Sequence, residues 1–235
     1  MQFFISRALM DTRNMPCLDN VTYYQEEVPD EPGFLFGTIS DMRKELQAQK
    51  VFYNLKVSDY LGAMHKYCLN YSNSYFKQVC QLEQTDIGKF VKSNSGCKVI
   101  TGDILTREGF SFIKDNYPDD EMLFIAPYKK ILKEYRFWVI DEEIVTYSHY
   151  SWDRNHDYQS VPENVINFAG GCAKQWSGDL SYTMDIGIAL HMNSKQQIEN
   201  QIGIIEYNCL STSGLYNANI EKLIQAVEKV YKGAN

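Results

Sequence analysis

The sequence predicts an α+β fold built mainly from antiparallel strands, and three observations carry that expectation. From Gly88 to Ile140 short apolar runs alternate with turn residues, as in successive hairpins. Two further strand candidates, one holding Asp185 and one reading Gly-Ile-Ile-Glu-Tyr-Asn up to Asn208, can pair antiparallel through the polar segment from His191 to Gln201. An amphipathic helix then closes the chain. Its Ile220, Leu223, Ile224, Val227, Val230 and Tyr231 recur at helical spacing, while Glu221, Lys222, Glu228 and Lys229 face water.

Taken in order, residues 1 to about 80 combine a short apolar start, an acidic loop from Glu26 to Pro32 and aromatic-rich segments. Asp41 to Gln49 is predicted helical, and Asp59 to Tyr71 reads as a second helix or an irregular aromatic segment. No chemical motif lies in this block, so its expected role is packing or shaping a substrate cleft. Lys89 to Lys92 reads as a strand, Ser93-Asn94-Ser95-Gly96 as a turn and Lys98 to Ile100 as the returning strand. Thr106 is an N-cap candidate for a short helix. Met122 to Ala126 is a buried apolar strand ended by Pro127, and Arg136–Ile140 with Ile144–Ser148 forms a hairpin around Asp141-Glu142-Glu143. A helix from Glu163 to Gln175 follows Pro162, with Gly170-Gly171 expected to end or kink it.

Composition narrows the function classes. A hydrophobic content of 44% with 17 tyrosines belongs to a folded chain, and 235 residues can bury a substantial core. A net charge of −7 argues against a broad nucleic-acid surface, so no nucleic-acid partner is expected. No apolar run approaches the length of a membrane span, and the start Met-Gln-Phe-Phe-Ile-Ser-Arg is too quickly polar for a signal peptide, so no membrane partner and a cytoplasmic location are expected. Cysteines at 17, 68, 80, 97, 172 and 209 form no Cys-x-x-Cys pair, which suits reduced structural thiols.

The chemistry concentrates near the carboxyl end. Glu206 and Asn208 are two apart on a strand and so project from one face. With Asp185 from the paired strand they gather three hard oxygen ligands, the partial shell Mg²⁺ accepts when phosphate oxygens complete it. The same triplet also reads as a surface acid pair beside an ordinary turn. Lys92 and Lys98 flank the hairpin turn and read either as solvated surface charges or as a pair that reaches one anion from adjacent strands. Arg136, in Glu134-Tyr135-Arg136-Phe137-Trp138, reads either as a phosphate clamp or as a cation–π surface residue. His149, Asp153, His156 and Asp157 suggest a transition-metal cluster or, more modestly, a loop over the site. No Ser-His-Asp or Cys-His arrangement stands out.

Several of these segments occur in one order: Phe90-Val91-Lys92-Ser93, Gly96-Cys97-Lys98-Val99-Ile100-Thr101-Gly102, the strand ending Ala126-Pro127-Tyr128, and Glu134-Tyr135-Arg136-Phe137-Trp138. Ser148-His149-Tyr150, Asp185, Ile205-Glu206-Tyr207-Asn208 and Ser213-Gly214-Leu215-Tyr216 follow. The set resembles the ATP-grasp superfamily, in particular the compact phage and bacterial clade named for two arginines and a lysine, over roughly Lys89 to Tyr216. The resemblance implies two α+β lobes with mainly antiparallel sheets clasping ATP, preceded by a short N-terminal α/β region. The expected divisions are 1–82, a small nucleotide lobe with hinge at 83–130, and a large metal-binding lobe at 131–235.

The resemblance also implies roles. Lys98 matches the phosphate-binding lysine, with Lys92 beside it, and Ala126, Pro127 and Tyr128 match the hinge that faces adenine. Glu134 and Arg136 match a Glu-x-Arg pair with the arginine near phosphate or substrate. Asp185, Glu206 and Asn208 match Mg²⁺ ligands, while Ser211, Ser213 and Gly214 lie in the loop that closes on the acceptor. Tyr150 and Arg154 are the remaining substrate candidates. The implied activity is an ATP- and Mg²⁺-dependent carboxylate–amine ligase working through an acyl phosphate, on small-molecule, peptide or protein substrates. A kinase-like phosphotransferase and a nucleotide-binding interaction module are the alternatives. Two departures from the clade stand out: Lys92-Ser93 stands where Arg-Pro is usual, and Ser151 follows Tyr150 where a further arginine is expected.

Overall fold

A computed structural model of the chain describes residues 1–9, 15–31, 33–38, 40–41, 51–52, 64–69, 73–93, 100, 102–150, 160–176, 178–192 and 198–231. Among these, four short strands near the amino terminus form a parallel sheet: β1 (Phe3–Ser6), β2 (Val21–Tyr24), β3 (Gly33–Phe36) and β4 (Val51–Phe52), in the order β2-β1-β3-β4. All eight residues of β1 and β3 are buried, which is why both read as continuous apolar runs without alternation. Beyond β3 the Asp41 carboxylate accepts from the Thr38 amide at 2.7 Å and the Tyr24 hydroxyl at 3.1 Å, fixing the start of the predicted helix. The rest of that helix, and most of 59–71, lie outside the described residues.

A second sheet is antiparallel and joins β5 (Tyr75–Gln78), β6 (Phe90–Ser93), β7 (Asp103–Ile104) and β8 (Met122–Ala126) in the order β5-β8-β6-β7. Helix α1 (Arg107–Asn116) covers it, and the Thr106 hydroxyl caps that helix by accepting from the Gly109 amide at 3.0 Å. Strand β8 lies where its apolar run placed it. Leu123 and Ile125 face the core shared with Ile113 of α1, while Phe124 and Ala126 turn toward the third sheet, so both faces are buried. Beneath this sheet Asp86 is fully buried and accepts from Tyr75, from Lys77 at 3.0 Å, from Lys89 at 3.1 Å and from the Glu83 amide at 3.0 Å.

The third sheet is the largest: β9 (Ile131–Ile140), β10 (Glu143–Tyr150), β11 (Ser181–Met192) and β12 (Ile198–Asn208), antiparallel in the order β10-β9-β11-β12. Asp141 and Glu142 make a two-residue turn at φ 54° and 63°, which matches the twist of the hairpin they join. The pleat separates two cores. Tyr135, Phe137, Met184 and Ile186 pack with Val165, Ala169 and Cys172 of helix α2 (Glu163–Gln175), while Trp138 and Ile140 pack with helix α3 (Ile220–Tyr231) and with Phe3, Phe34 and Phe36 of the parallel sheet.

Strands β11 and β12 pair antiparallel as expected, and the pairing reaches into the polar segment, where Leu190, His191 and Met192 pair with Asn200, Glu199 and Ile198. One expectation is corrected. Helix α2 runs unbroken through Gly170-Gly171, since burial of Ala169, Cys172 and Ala173 holds the turn that propensity alone would release. No described helix is long and apolar enough to cross a membrane.

Burial would push the Asp86 carboxyl upward, yet the bonds from Tyr75, Glu83, Lys77 and Lys89 outweigh it and hold the group below its ordinary range. The unfolded chain therefore takes up this proton more readily. The stabilisation is complete above about pH 5 and is lost progressively as pH falls below it. Asp86→Asn is expected to lower stability at pH 7 by about 3 kcal/mol, and to flatten the fall of the urea midpoint between about pH 5 and 3. Urea titrations of both proteins at pH 7, 5 and 3 read both effects.

Candidate active site

The register of the large sheet assembles the site. Ser148 on β10 pairs with Arg136 on β9, Arg136 pairs with Asp185 on β11, and Asp185 pairs with Glu206 on β12. One row across four strands therefore carries a hydroxyl, a guanidinium and two carboxylates on one face, since cross-strand partners share a face. Asn208 lies two residues beyond Glu206 on that face. The register shifts just past the row, between Asp185 and Ile186, a bulge that bends β12 where its acidic side chain is presented.

Inside the row Arg136 donates to both oxygens of Asp185, from Nε at 2.7 Å and from Nη2 at 2.6 Å. The pair is deeply buried, at 5% and 0% exposure. Burial works against the charge of Arg136, and the Asp185 carboxylate more than offsets it, so the guanidinium is held protonated. Asn208 Nδ2 donates to Asp185 Oδ2 at 3.2 Å and to Glu206 Oε1 at 2.9 Å, which places the two acids one amide apart.

Aromatic rings enclose the guanidinium. Its carbon lies 5.0 Å from the Tyr150 ring centre and 5.2 Å from that of Tyr216, and the two rings meet edge to face at 4.8 Å. Burial raises the phenol pKa of both tyrosines. Tyr216 sits at φ 43°, a left-handed conformation uncommon for an aromatic residue, and it folds back so far that a Cβ on Gly214 would lie 2.8 Å from its ring. The Gly214 carbonyl accepts from Arg136 Nη1 at 3.3 Å. The parallel sheet grips the same loop: the Leu9 carbonyl accepts from the Leu215 amide, and the Gly37 amide donates to the Ser211 carbonyl at 2.9 Å.

The remaining candidates are placed as follows. Glu134 lies opposite Tyr150 and shares the face of Arg136. Lys92 lies opposite Phe124 in the small sheet, with Nζ 5.8 Å from that ring. Ala126 is buried in the cluster joining β8 to the large sheet, Pro127 is half-buried and Tyr128 is exposed. Ser211 and Ser213 are buried, and the Ser213 hydroxyl contacts that of Thr183 at 2.8 Å and donates to the Cys209 carbonyl at 2.7 Å, so it holds the loop in shape. Cys209 lies against Thr212, in keeping with packing. Lys98, Arg154, Ser151 and the cluster at 153–157 lie outside the described residues, and the His149 ring packs tilted against Tyr135 at 5.5 Å. Ser148 and Tyr216 belong to two of the ordered segments but have no role of their own assigned from sequence. The one signal for Tyr216 was an aromatic residue ending a Ser-Gly loop just past the acids.

Among the described residues no group of three or more His, Cys, Asp and Glu is placed to hold a metal ion. The donor set here is two carboxylates and an amide, which offer hard oxygen ligands. That set suits Mg²⁺ with phosphate oxygens completing the shell.

The family model for the ATP-grasp domain, family 2 of the clade named for two arginines and a lysine, matches residues 72–226. No curated protein sequence matches the chain. Among solved structures, D-alanine–D-alanine ligase from Bacillus anthracis is 12% identical with a TM-score of 0.46, over 100% of this chain and 99% of that one. The ATP-grasp ligase PsnB complexed with minimal precursor is 14% identical with a TM-score of 0.47, over 81% of this chain and 67% of that one. D-alanine–D-alanine ligase from Helicobacter pylori is 14% identical with a TM-score of 0.48, over 79% and 65%.

Removing one partner of a buried ion pair leaves the other without compensation. Arg136→Met is expected to cost about 3–5 kcal/mol, and Arg136→Met with Asp185→Leu to cost clearly less than the sum of the single changes. Chemical denaturation of the three variants measures that coupling.

Proposed function

Because the chain belongs to the ATP-grasp domain family, in the clade named for two arginines and a lysine, we propose that it is an ATP- and Mg²⁺-dependent carboxylate–amine ligase. The observation that best supports this reading is the row of Arg136, Asp185 and Glu206 with Asn208 bridging the two acids. In the proposed reaction a substrate carboxylate takes the γ-phosphoryl group of ATP with release of ADP, and an amine then displaces phosphate to form the amide. Such phosphoryl transfer rests on positioning and charge neutralisation.

Each residue has a task in this reading. Asp185, Glu206 and Asn208 would hold Mg²⁺, which when bound offsets the charge of the phosphates. Arg136 fixes the Asp185 carboxylate through two side-by-side bonds and keeps the row from repelling itself. Lys92 and Lys98 supply positive charge to the phosphates from the small lobe, and Ala126, Pro127 and Tyr128 form the hinge against the base. The loop with Ser211, Ser213 and Gly214, together with Tyr150 and Arg154, borders the acceptor. The acceptor class stays a choice among a small molecule, a peptide and a protein.

A nucleotide-binding module without turnover is the second reading. It is favoured by the hold of Arg136 on both oxygens of Asp185, which leaves that ligand less free for a cation.

Calorimetry with ATP, in the presence and absence of Mg²⁺, tests the site. Wild type is expected to bind ATP in a metal-dependent way. Glu206→Gln should weaken that binding by about tenfold or more, and the Lys98→Ala, Glu206→Gln pair should abolish it. Binding that does not need the metal, or that survives in the double variant, removes the site assignment. Release of ADP on adding carboxylate and amine pairs separates the ligase from the silent module.

A further inference from the structure

The small sheet, β5 to β8, is tied to the rest of the chain by two crossings, one between Leu69 and Tyr75 and one between Ala126 and Ile131. Lys129 lies on the second. Its ammonium donates to the Leu69 carbonyl, on the first crossing, and to Gln201 Oε1 of β12 at 2.8 Å. The Leu69 amide in turn donates to the Ile204 carbonyl of β12 at 2.9 Å, and Cys68 makes a parallel bridge with Ile204. Both crossings and the edge of the large sheet therefore meet at one point.

The large sheet is shaped to receive that point. Gly187 on β11 and Gly203 on β12 are register partners. A Cβ on Gly203 would lie 2.8 Å from the Leu69 nitrogen and 2.9 Å from its Cα, and a Cβ on Gly187 would lie 2.7 Å from the end of the Leu69 side chain. Two glycines side by side let Leu69 sit directly on the ribbon. Half-burial disfavours the charge on Lys129 and lowers its pKa, so its ammonium is poorly hydrated and relies on the two oxygens it holds.

We propose that Lys129 is a positioning residue: by stapling both crossings to β12, it sets the angle at which the small sheet meets the large one. This rests on the ligase reading for its consequence, because basic residues of the small sheet and acids of the large sheet must then face one nucleotide. The joint itself is independent of any ligand. Without the ammonium the bonds from Lys129 to Leu69 and Gln201 are lost, and the small sheet samples a wider range of angles.

Spin labels measure that range without nucleotide. One label goes on Cys80, just after β5 of the small sheet, and one on Lys174→Cys of α2, both exposed, with Cys17, Cys97 and Cys209 replaced by serine. Otherwise wild-type protein is expected to give one narrow distance distribution, Lys129→Met a broad one, and Lys129→Arg a narrow one again. Gly203→Ala, which presses on Leu69 backbone atoms that no rotamer change can move, should shift or broaden the distribution with the ammonium still present. A narrow, unshifted distribution in Lys129→Met overturns the proposal, whatever Gly203→Ala shows. If wild type binds Mg²⁺-ATP, a tenfold fall in the fraction of correctly oriented molecules raises the dissociation constant of Lys129→Met by about tenfold. Failure of wild type to bind ATP overturns the ligase reading and leaves the distance result standing.

Discussion

The Arg136–Asp185 ion pair is the constraint on which the large sheet depends. Two charges at 5% and 0% exposure survive in that setting only because the guanidinium meets the carboxylate along two parallel bonds. A slip of one residue between β9 and β11 would turn one charge toward the α2 core and strand the other. The pair therefore penalises the wrong register far more than it stabilises the right one. Once β9 and β11 are fixed, Ser148 and Glu206 are carried into line by the flanking strands.

The loop after β12 links that row to the rest of the molecule. Gly214 takes a hydrogen bond from Arg136, Leu215 reaches Leu9 beyond β1, and Ser211 is held by Gly37 beyond β3. These two strands are neighbours in a sheet ordered β2-β1-β3-β4, so the chain leaves β1 on one side and returns as β3 on the other. The carboxyl ends of neighbouring parallel strands at such a reversal leave a crevice. Here the loop beside the acids is bonded just beyond those ends, at Leu9 and Gly37. The strained Tyr216 is retained because three neighbours hold it: Tyr150 at its edge, Arg136 at its face and Gly214 beneath it.

Sequence patterns revealed the parts of this arrangement that follow local rules. Strand β8, helix α2 after Pro162 and helix α3 fall where turn residues, a proline start and helical periodicity placed them. The same-face placement of Glu206 and Asn208 followed from the pleat alone. What stayed illegible depended on distant partners. The parallel strands β1 and β3 are buried on both faces and lack alternation, so a short apolar start was all that showed. That Arg136 would bind Asp185, 49 residues away, is a matter of register and not of spacing. Neither Tyr216 as a wall of the guanidinium nor Gly187 and Gly203 as a seat for Leu69 has a local signature, since each is defined by what packs against it.

The placement of charge follows from the same division of labour. The acids lie on central and edge strands of the large sheet, braced by α2 on one face and α3 on the other. Lys92, by contrast, belongs to a smaller sheet that has its own core with α1. In the proposed reaction the phosphates must meet both sets at once, so neither sheet neutralises them alone. Lysine at position 92 then makes physical sense where arginine is usual in the clade. A mobile point charge tolerates small changes in the angle between lobes that a rigid two-pronged donor would not. The rigid donor, Arg136, is kept within the large sheet, where its partner Asp185 sits on the adjacent strand and the distance between them is set by the sheet itself.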